Sequence, residues 1–375
     1  MLICAHCDTV YPENEPRWRC PCGGYLHYRP EEMFQPHQLA GRPTTLWRYR
    51  EPLGILSDAN VVSLGEGFTP LVADRLEDQP VLFKLDQLCP TGSFKDRGSA
   101  VMLSKLKEWG VGELIEDSSG NAGASVAAYA SRAKIKAHIY IPAYTSAGKA
   151  AQIAMYGADL IKVPGTREDT AQAAWDAAEQ QFYASHNWSP YFLNGLKTLA
   201  YEIAEQLGWQ APDWVVAPVG GGSSILGLYL GFKDLEEAGI IDRLPRLAAV
   251  QAKNCAPVFH AWRQGLTDVP AVQKQETAAE GISIAKPVKG RDILRAIRAT
   301  DGVVLTVEDQ EIWDMLTELG QRGIYVEPTA AAAPAALRQL RHQGLVSPGQ
   351  HVVVQLTGSG LKATDKIVDH YSARR

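Results

Sequence analysis

The feature that most constrains the fold is a repeated alternation of strand and helix patterns from residue 95 onward. Short apolar runs typical of buried strands occur at 159–163, 214–219 and 351–356. Between such runs, apolar residues recur at helical spacing, as at 290–299. Because parallel strands need helical crossovers, this alternation predicts parallel-type sheets covered by helices, and the fold class is α/β.

Three turns built from glycine and polar residues each follow a predicted strand directly. They lie at 118–121, 220–224 and 357–360. In open α/β sheets, ligands collect at the carboxyl ends of the strands. The shared position of the three turns therefore predicts that they serve one ligand site.

The glycine-rich turn consists of Gly220, Gly221, Gly222, Ser223 and Ser224. Its backbone N–H groups, its two hydroxyls and the helix that follows make it a candidate cradle for phosphate. It matches neither the dinucleotide fingerprint nor the Gly-x4-Gly-Lys-Ser/Thr loop, which favours a phosphate monoester as the ligand. A close strand–helix turn that simply needs glycine is the alternative interpretation.

The other two turns offer donors to different chemical groups. Ser118, Ser119, Gly120 and Asn121 precede a helix pattern, where hydroxyls and N–H groups suit a carboxylate. The Asn121 amide can also donate to a phenolate-type oxygen, and the Thr357 hydroxyl can face a ring nitrogen. A plain helix cap and a strand-ending turn are the respective alternatives.

Lys95 stands where a loop enters a helix pattern, in the stretch Pro90-Thr-Gly-Ser-Phe-Lys-Asp-Arg-Gly98. Taken alone, it fits an ordinary solvated lysine at the start of a helix. An amine at such a position can also be desolvated and attack an aldehyde cofactor. Together with the three turns, it completes the set of groups that pyridoxal phosphate and an amino acid require.

This set of residues resembles the fold-type II pyridoxal-phosphate enzymes, the tryptophan synthase β-subunit superfamily, and within it the threonine synthases. The resemblance implies a two-lobed fold and a homodimer. It places a larger cofactor-binding lobe at 31–96 and 191–375, and a smaller mobile lobe at 97–190. The matching stretches extend over nearly the whole chain: 65–71, 90–98, 118–125, 220–222, 327–328 and 357–362.

The resemblance also implies a role for each candidate residue. Lys95 would be the Schiff-base lysine and the general acid and base. Asn121 would bond the ring oxygen of the cofactor, and Thr357 would meet its pyridine nitrogen. The cofactor phosphate would be held by Gly220, Gly221, Gly222, Ser223 and Ser224, and the substrate carboxylate by Ser118, Ser119, Gly120 and Asn121.

The implied reaction converts O-phosphohomoserine and water to threonine and phosphate. Threonine synthases often have Asn-Pro-x-Arg before a Gly-x-Lys-Thr turn, but the arginine position here holds Phe192. Lys149, Arg167 and Lys197 are the other candidates for contacts to the substrate phosphate. The turn at 220–224 also resembles that of serine/threonine dehydratases. An ammonia-lyase or a β-replacement enzyme similar to cysteate synthase is therefore the alternative, and a non-catalytic scaffold is a third hypothesis.

Residues 1–30 form a segment with its own pattern, in which Cys4 and Cys7 are followed by Cys20 and Cys22. Two close pairs of thiols predict a zinc-ribbon-like segment with a structural Zn²⁺ ion. A segment this short buries too little core to fold without such help. Four reduced thiols without a metal are the alternative. The segment also resembles the N-terminal extension of some threonine synthases.

Composition limits the range of partners. The 375 residues include 37 basic and 42 acidic side chains, without the basic excess typical of nucleic-acid-binding proteins. No apolar run approaches the length of a membrane span, and the N-terminus lacks the features of a secretory signal. Six cysteines without an export signal favour a reducing compartment. We therefore expect a cytoplasmic protein that binds an amino-acid substrate and has no nucleic-acid or membrane partner.

Overall fold

The structure is a computed structural model that describes residues 1–372, apart from the side chain of Lys149. The chain divides into two compact units. The first consists of Met1–Phe68 and Lys95–Thr198, and the second of Thr69–Phe94 and the chain from Leu199 onward. The sequence had led us to expect residues 31–68 in the larger lobe, whereas the structure groups them with the first unit.

The regular elements alternate as α/β folds require. The strands are β1 (Leu2–Cys4), β2 (Val10–Tyr11), β3 (Leu26–Tyr28), β4 (Leu71–Leu76), β5 (Gln79–Lys84), β6 (Glu113–Glu116), β7 (Lys136–Pro142), β8 (Asp159–Val163), β9 (Phe182–Tyr183), β10 (Trp214–Pro218), β11 (Arg246–Ala252), β12 (Val303–Val307) and β13 (Val352–Gln355). The helices are α1 (Lys95–Glu108), α2 (Asn121–Ala133), α3 (Ala147–Met155), α4 (Arg167–Ala177), α5 (Pro190–Leu196), α6 (Thr198–Gln206), α7 (Ser223–Glu237), α8 (Pro257–Arg263), α9 (Gly290–Ala299), α10 (Asp309–Gln321), α11 (Pro328–His342) and α12 (Thr364–Ser372). Among the described helices, none has both the length and the apolar character needed to cross a membrane.

The first unit contains two sheets. The N-terminal sheet is antiparallel, with the order β2-β1-β3. The other sheet is parallel throughout, with the order β8-β7-β6-β9. The N-terminal segment packs on the rest of this unit: the Trp109 indole N–H donates to the carbonyl of Glu13 at 2.9 Å, and the Trp18 ring meets Trp175 edge to face.

The second unit contains a six-stranded sheet with the order β12-β11-β10-β13-β5-β4. All neighbouring pairs are parallel except β4 and β5, which form an antiparallel hairpin at one edge. The hairpin turns at Glu77 and Asp78, which have φ values of 45° and 62°. Two left-handed residues match the twist of a tight hairpin, and glycine or asparagine usually fills such positions. The sequence therefore carried no signal for β4.

The core of the second unit forms around the centre of this sheet. Every residue of β10 is buried, including Trp214. The alanine-rich run predicted as a tightly packed helix is α11, which begins at Pro328. Ala330 and Ala333 are fully buried. Small side chains let this helix lie close to its neighbours, and the proline fits its first turn because no N–H partner is needed there.

Candidate cofactor and substrate sites

Lys95 is the first residue of α1 and is partly buried. The two residues that follow it are fully buried and fix the start of the helix. The Ser125 hydroxyl on α2 donates to Asp96 Oδ1 at 2.6 Å, and Arg97 Nη1 donates to Thr198 Oγ1 at 3.2 Å. The Lys-Asp-Arg order thus places one amine at a helix start that its neighbours hold rigidly.

Gly98 completes this motif for a steric reason. A Cβ atom at Gly98 would lie 2.7 Å from the Phe192 ring, and one at Gly195 would lie 2.1 Å from the Arg97 carbonyl oxygen. Helices α1 and α5 therefore approach each other too closely for any side chain at these two positions. Phe192 is fully buried in this contact, so the position that holds arginine in many threonine synthases serves packing here.

The turn at 118–121 joins the end of β6 to the start of α2, as the sequence predicted. Ser118 and Ser119 are partly exposed, and the Gly120 N–H donates to the Ser118 hydroxyl at 3.3 Å. A Cβ atom at Gly123 would lie 1.8 Å from the Ser118 carbonyl oxygen, so glycine is required there. The first N–H groups of α2 lack intrahelical partners and carry partial positive charge, which suits a carboxylate.

The turn at 220–224 joins β10 to the fifteen-residue helix α7 in the second unit. Gly222 caps this helix with a φ of 88°. A Cβ atom there would lie 2.2 Å from Ile293, and one at Gly220 would lie 2.8 Å from the Ile282 Cα. Packing alone therefore requires both glycines. The same backbone leaves the first N–H groups of α7 without helical partners, which is the arrangement that binds phosphate.

The Ser224 hydroxyl is committed to a buried network of the second unit. It donates to Gln355 Oε1 at 2.5 Å. Gln355 Nε2 donates to Asp86 Oδ2 at 2.9 Å, and Asp86 Oδ1 accepts from the Thr69 hydroxyl at 2.8 Å. The sequence analysis counted two hydroxyls for phosphate, but only that of Ser223 lies outside this network, and Ser224 offers its backbone N–H. Asp86 and Gln355 had no recognisable motif.

Thr357 lies two residues after Gln355 and is 2% exposed. Its carbonyl accepts from the Phe94 N–H at 3.0 Å, and Ser93 pairs with Gly358. The hydroxyl oxygens of Thr357 and Ser93 are buried without a hydrogen-bond partner among the described protein atoms. Because buried hydroxyls are rarely left unpaired, both fit contact with a polar ligand. Phe94 directly precedes Lys95, so the lysine follows a segment tied to Thr357.

A cluster of charged side chains lies in the first unit, where β6 ends and β9 gives way to a loop. Glu116 and Asp117 directly precede the turn at 118–121, and Arg167 is the first residue of α4. Burial raises the pKa of Glu116 well above its usual range, Asp117 adds to this, and the charges of Arg167 and Lys95 oppose it. The sequence analysis did not identify Glu116, Asp117 or His186. Two acidic residues at a strand end were the available signal.

The sulfur atoms of Cys4, Cys7, Cys20 and Cys22 all lie within 4.8 Å of one another. The distances are 3.5 Å for Cys4–Cys22 and 3.6 Å for Cys7–Cys20. Tetrahedral Zn²⁺ with bonds of about 2.3 Å needs sulfurs about 3.8 Å apart, so this set fits the metal. A Cβ atom at Gly24 would lie 2.7 Å from Cys4 Sγ, which explains the glycine after the second pair.

Comparison with known proteins identifies the family. A family described as pyridoxal-phosphate dependent enzymes matches residues 62–358. The chain belongs to this family. Threonine synthase from Methanocaldococcus jannaschii is 36% identical and aligns over 97% of this chain and 93% of its own length. Threonine synthase from a Synechocystis species is 38% identical over 86% of this chain and 84% of its own length. Pyridoxal phosphate is therefore the cofactor to which the orphaned hydroxyls and helix starts are to be fitted.

Solved structures confirm the fold class. A bacterial-type threonine deaminase, from the source abbreviated T.th., is 26% identical with a TM-score of 0.65, covering 78% of this chain and 92% of that chain. Isoform 2 of threonine deaminase from Solanum lycopersicum is 21% identical with a TM-score of 0.72, covering 92% of this chain and 98% of that chain. The second likeness concerns the fold alone. The predicted two-lobed, fold-type II architecture is thus confirmed.

Proposed function

We propose that the protein is a threonine synthase, which releases phosphate from O-phosphohomoserine and adds water to give threonine. The observation that carries this proposal is the match to a threonine synthase over 97% of the chain, which includes the cysteine-bearing N-terminal segment. The turn at 220–224 resembles that of dehydratases, but packing alone accounts for Gly220 and Gly222 in it. That resemblance therefore does not favour an ammonia-lyase.

Each candidate residue receives one role. Pyridoxal phosphate, when bound, supplies the electron sink that makes protons near the substrate amino group acidic. Lys95 would hold its aldehyde, and the Lys95 amine then moves protons at Cα and Cβ of the substrate. Gly220, Gly221, Gly222 and Ser223, with the Ser224 N–H, would hold its phosphate.

Two side chains are proposed to set the electronic character of the cofactor ring. Asn121 would donate to the ring oxygen, and the Thr357 hydroxyl would face the ring nitrogen, which would also satisfy a buried orphaned group. A hydroxyl does not enforce protonation of that nitrogen as a carboxylate would. The weaker electron sink favours elimination over transamination.

The start of α2 is proposed to hold the substrate carboxylate through Ser118, Ser119, Gly120 and Asn121. The partly exposed hydroxyls and the positive helix end support this role. A carboxylate fixed there keeps the substrate oriented while Lys95 acts on Cα and Cβ.

Three further expectations belong to the same proposal. Cys4, Cys7, Cys20 and Cys22 hold a structural Zn²⁺ ion, which their mutual distances support. The protein is a cytoplasmic homodimer, and residues 97–190 form a mobile lobe. These last expectations rest on the resemblance to the threonine synthases.

The test is a phosphate-release assay of the cofactor-loaded protein with O-phosphohomoserine, followed by identification of the amino acid. We expect inorganic phosphate and threonine in equal amounts. Serine and threonine are tested in parallel with a dehydrogenase that detects keto acids. Keto acid without phosphate release would establish the ammonia-lyase alternative, and the absence of any product with all three substrates would contradict both.

A further inference from the structure

A buried acid–base pair lies beside the proposed carboxylate site in the first unit. The Glu116 carboxylate has no exposed surface, and its Oε1 lies 2.5 Å from His186 Nδ1. The backbone N–H of His186 also donates to Glu116 Oε2 at 3.3 Å. The imidazole is 13% exposed, so it faces buried Glu116 on one side and retains some access on the other.

This contact determines which imidazole nitrogen carries a proton. One proton is shared between Glu116 Oε1 and His186 Nδ1. When it lies on the carboxyl group, the neutral ring keeps its own proton on Nε2; when it lies on Nδ1, the ring is a cation with N–H groups at both nitrogens. Nε2 is therefore a donor in either state, and an approaching anion draws the shared proton towards the ring.

A second acid holds a second cation next to this pair. Arg167 Nη2 donates to Asp117 Oδ2 at 2.9 Å, and the Tyr183 hydroxyl donates to Asp117 Oδ1 at 2.8 Å. The other guanidinium nitrogen, Arg167 Nη1, is buried without a hydrogen-bond partner among the described protein atoms. The Arg167 side chain is 32% exposed. An unpaired buried N–H is costly, and guanidinium groups bind phosphate through two such donors.

We propose that Arg167 and His186 bind the phosphate group of the substrate, and that Asp117 and Glu116 are the residues that position them. This inference rests on the proposed function. A phosphate dianion needs cationic donors, and Phe192, fully buried against Gly98, supplies none.

The location and the charges agree with this assignment. Glu116 and Asp117 directly precede Ser118 and Ser119, so the two cations lie next to the proposed carboxylate cradle at the carboxyl ends of β6 and β9. Asp117 and Glu116 balance Arg167 and His186 in the free protein. A bound phosphate dianion adds negative charge that Arg167 Nη1 and the His186 ring can accept without losing their existing partners.

The test compares Arg167→Gln and His186→Gln with the wild type. Each variant keeps a polar side chain towards its acid but removes the cation. The ligands are the unreactive phosphonate isostere of O-phosphohomoserine and norvaline, which lacks the phosphate, and both are titrated by the visible absorbance of the bound cofactor. Arg132→Gln is the control, because Arg132 is an exposed arginine of the same unit.

We expect each variant to bind the phosphonate about tenfold or more weakly, while its norvaline affinity stays within about twofold of the wild type. Arg167→Lys keeps the charge but not the fork of donors, so it lies between, and Arg132→Gln matches the wild type. Unchanged phosphonate affinity in both glutamine variants would overturn the inference. An equal loss of norvaline affinity would also overturn it, because it would show a structural role.

The design separates this inference from the proposed function. If the wild type releases phosphate but the variants keep its KM and its phosphonate affinity, only the inference fails. If the wild type releases no phosphate, the proposed function fails, and discrimination between phosphonate and norvaline still decides whether an anion site exists. Should one glutamine variant not fold by circular dichroism, the Arg167→Lys and Arg132→Gln pair decides the outcome.

Discussion

At the scale of single residues, the motif around Lys95 combines chemistry with packing. Asp96 and Arg97 are fully buried and bond to residues of other helices, whereas Lys95 itself is only partly buried. The neighbours of the lysine therefore carry the stability of this region, and the lysine side chain is available for catalysis.

Replacing Lys95 with alanine should remove the proton-transferring amine. We expect the rate of phosphate release to fall by about 10²- to 10⁴-fold or more, because that is the usual contribution of an acid–base group. The unfolding temperature should change little. Lys107→Ala, an exposed lysine of the same helix, is the matched control and should keep full activity. Retained turnover in the Lys95 variant would contradict the mechanism.

A buried ion pair in the second unit offers a test of stability. Lys84 Nζ lies 2.9 Å from Glu202 Oε2, and neither side chain has any exposed surface. Replacing Lys84 with methionine would leave Glu202 as an uncompensated buried charge. We expect the free energy of unfolding in urea to fall by about 3–5 kcal/mol.

The control for this prediction is a pair on the surface of the same unit. Lys253 contacts Glu308, and their side chains are 64% and 51% exposed. Solvent screens such a pair, so Lys253→Met should change the free energy of unfolding by less than about 1 kcal/mol. Equal effects of the two substitutions would show that the Lys84–Glu202 pair is not a buried charge pair.

At the scale of elements, two glycines inside helices should respond to alanine in opposite directions. Gly195 in α5 leaves no room, since a Cβ atom would lie 2.1 Å from the Arg97 carbonyl. Gly320 in α10 has open space around its Cβ position. Gly195→Ala should lower the free energy of unfolding by about 1–3 kcal/mol through overpacking. Gly320→Ala should raise it by about 0.5–1 kcal/mol because alanine favours the helix. Urea unfolding of both variants measures the difference, and the same sign for both would contradict this account.

The N-terminal sheet is the element with the least core of its own. Its strands β1, β2 and β3 have two or three residues each, so the four cysteines are needed to hold it. Cys4→Ser and Cys7→Ser should lose zinc by elemental analysis and expose this segment to limited proteolysis. Cys255→Ser, at a buried cysteine outside the cluster, should keep the metal. A metal-free wild-type protein would refute the zinc site.

At the scale of the whole molecule, cofactor binding should be visible as stability. A ligand that binds only the folded protein, at about 100 times its Kd, adds about 2.7 kcal/mol to the free energy of unfolding. We expect pyridoxal phosphate to raise the urea midpoint, and pyridoxal without phosphate to raise it much less. Equal shifts with the two compounds would argue against a phosphate cradle at 220–224.

Much of the architecture was readable from local sequence. Strands and helices from β6 onward were predicted where apolar periodicity was strong, and α9 begins and ends where predicted. Hairpin strand β4 was missed because its turn at Glu77 and Asp78 lacks glycine. The grouping of residues 31–68 also differed from expectation, since an irregular segment carries no periodicity that indicates what it packs against.

The sequence by itself determined the fold class, the family, the cysteine cluster and the candidate lysine, because each depends on spacing along the chain. Only the tertiary structure decided which hydroxyl is committed to Gln355, why Gly98 and Phe192 occur together, and that Glu116 and Asp117 hold His186 and Arg167. These facts depend on contacts between residues far apart in the chain, 131 positions apart in the case of the Ser224–Gln355 bond. Such pairings arise from packing of the folded chain, and no local pattern encodes them.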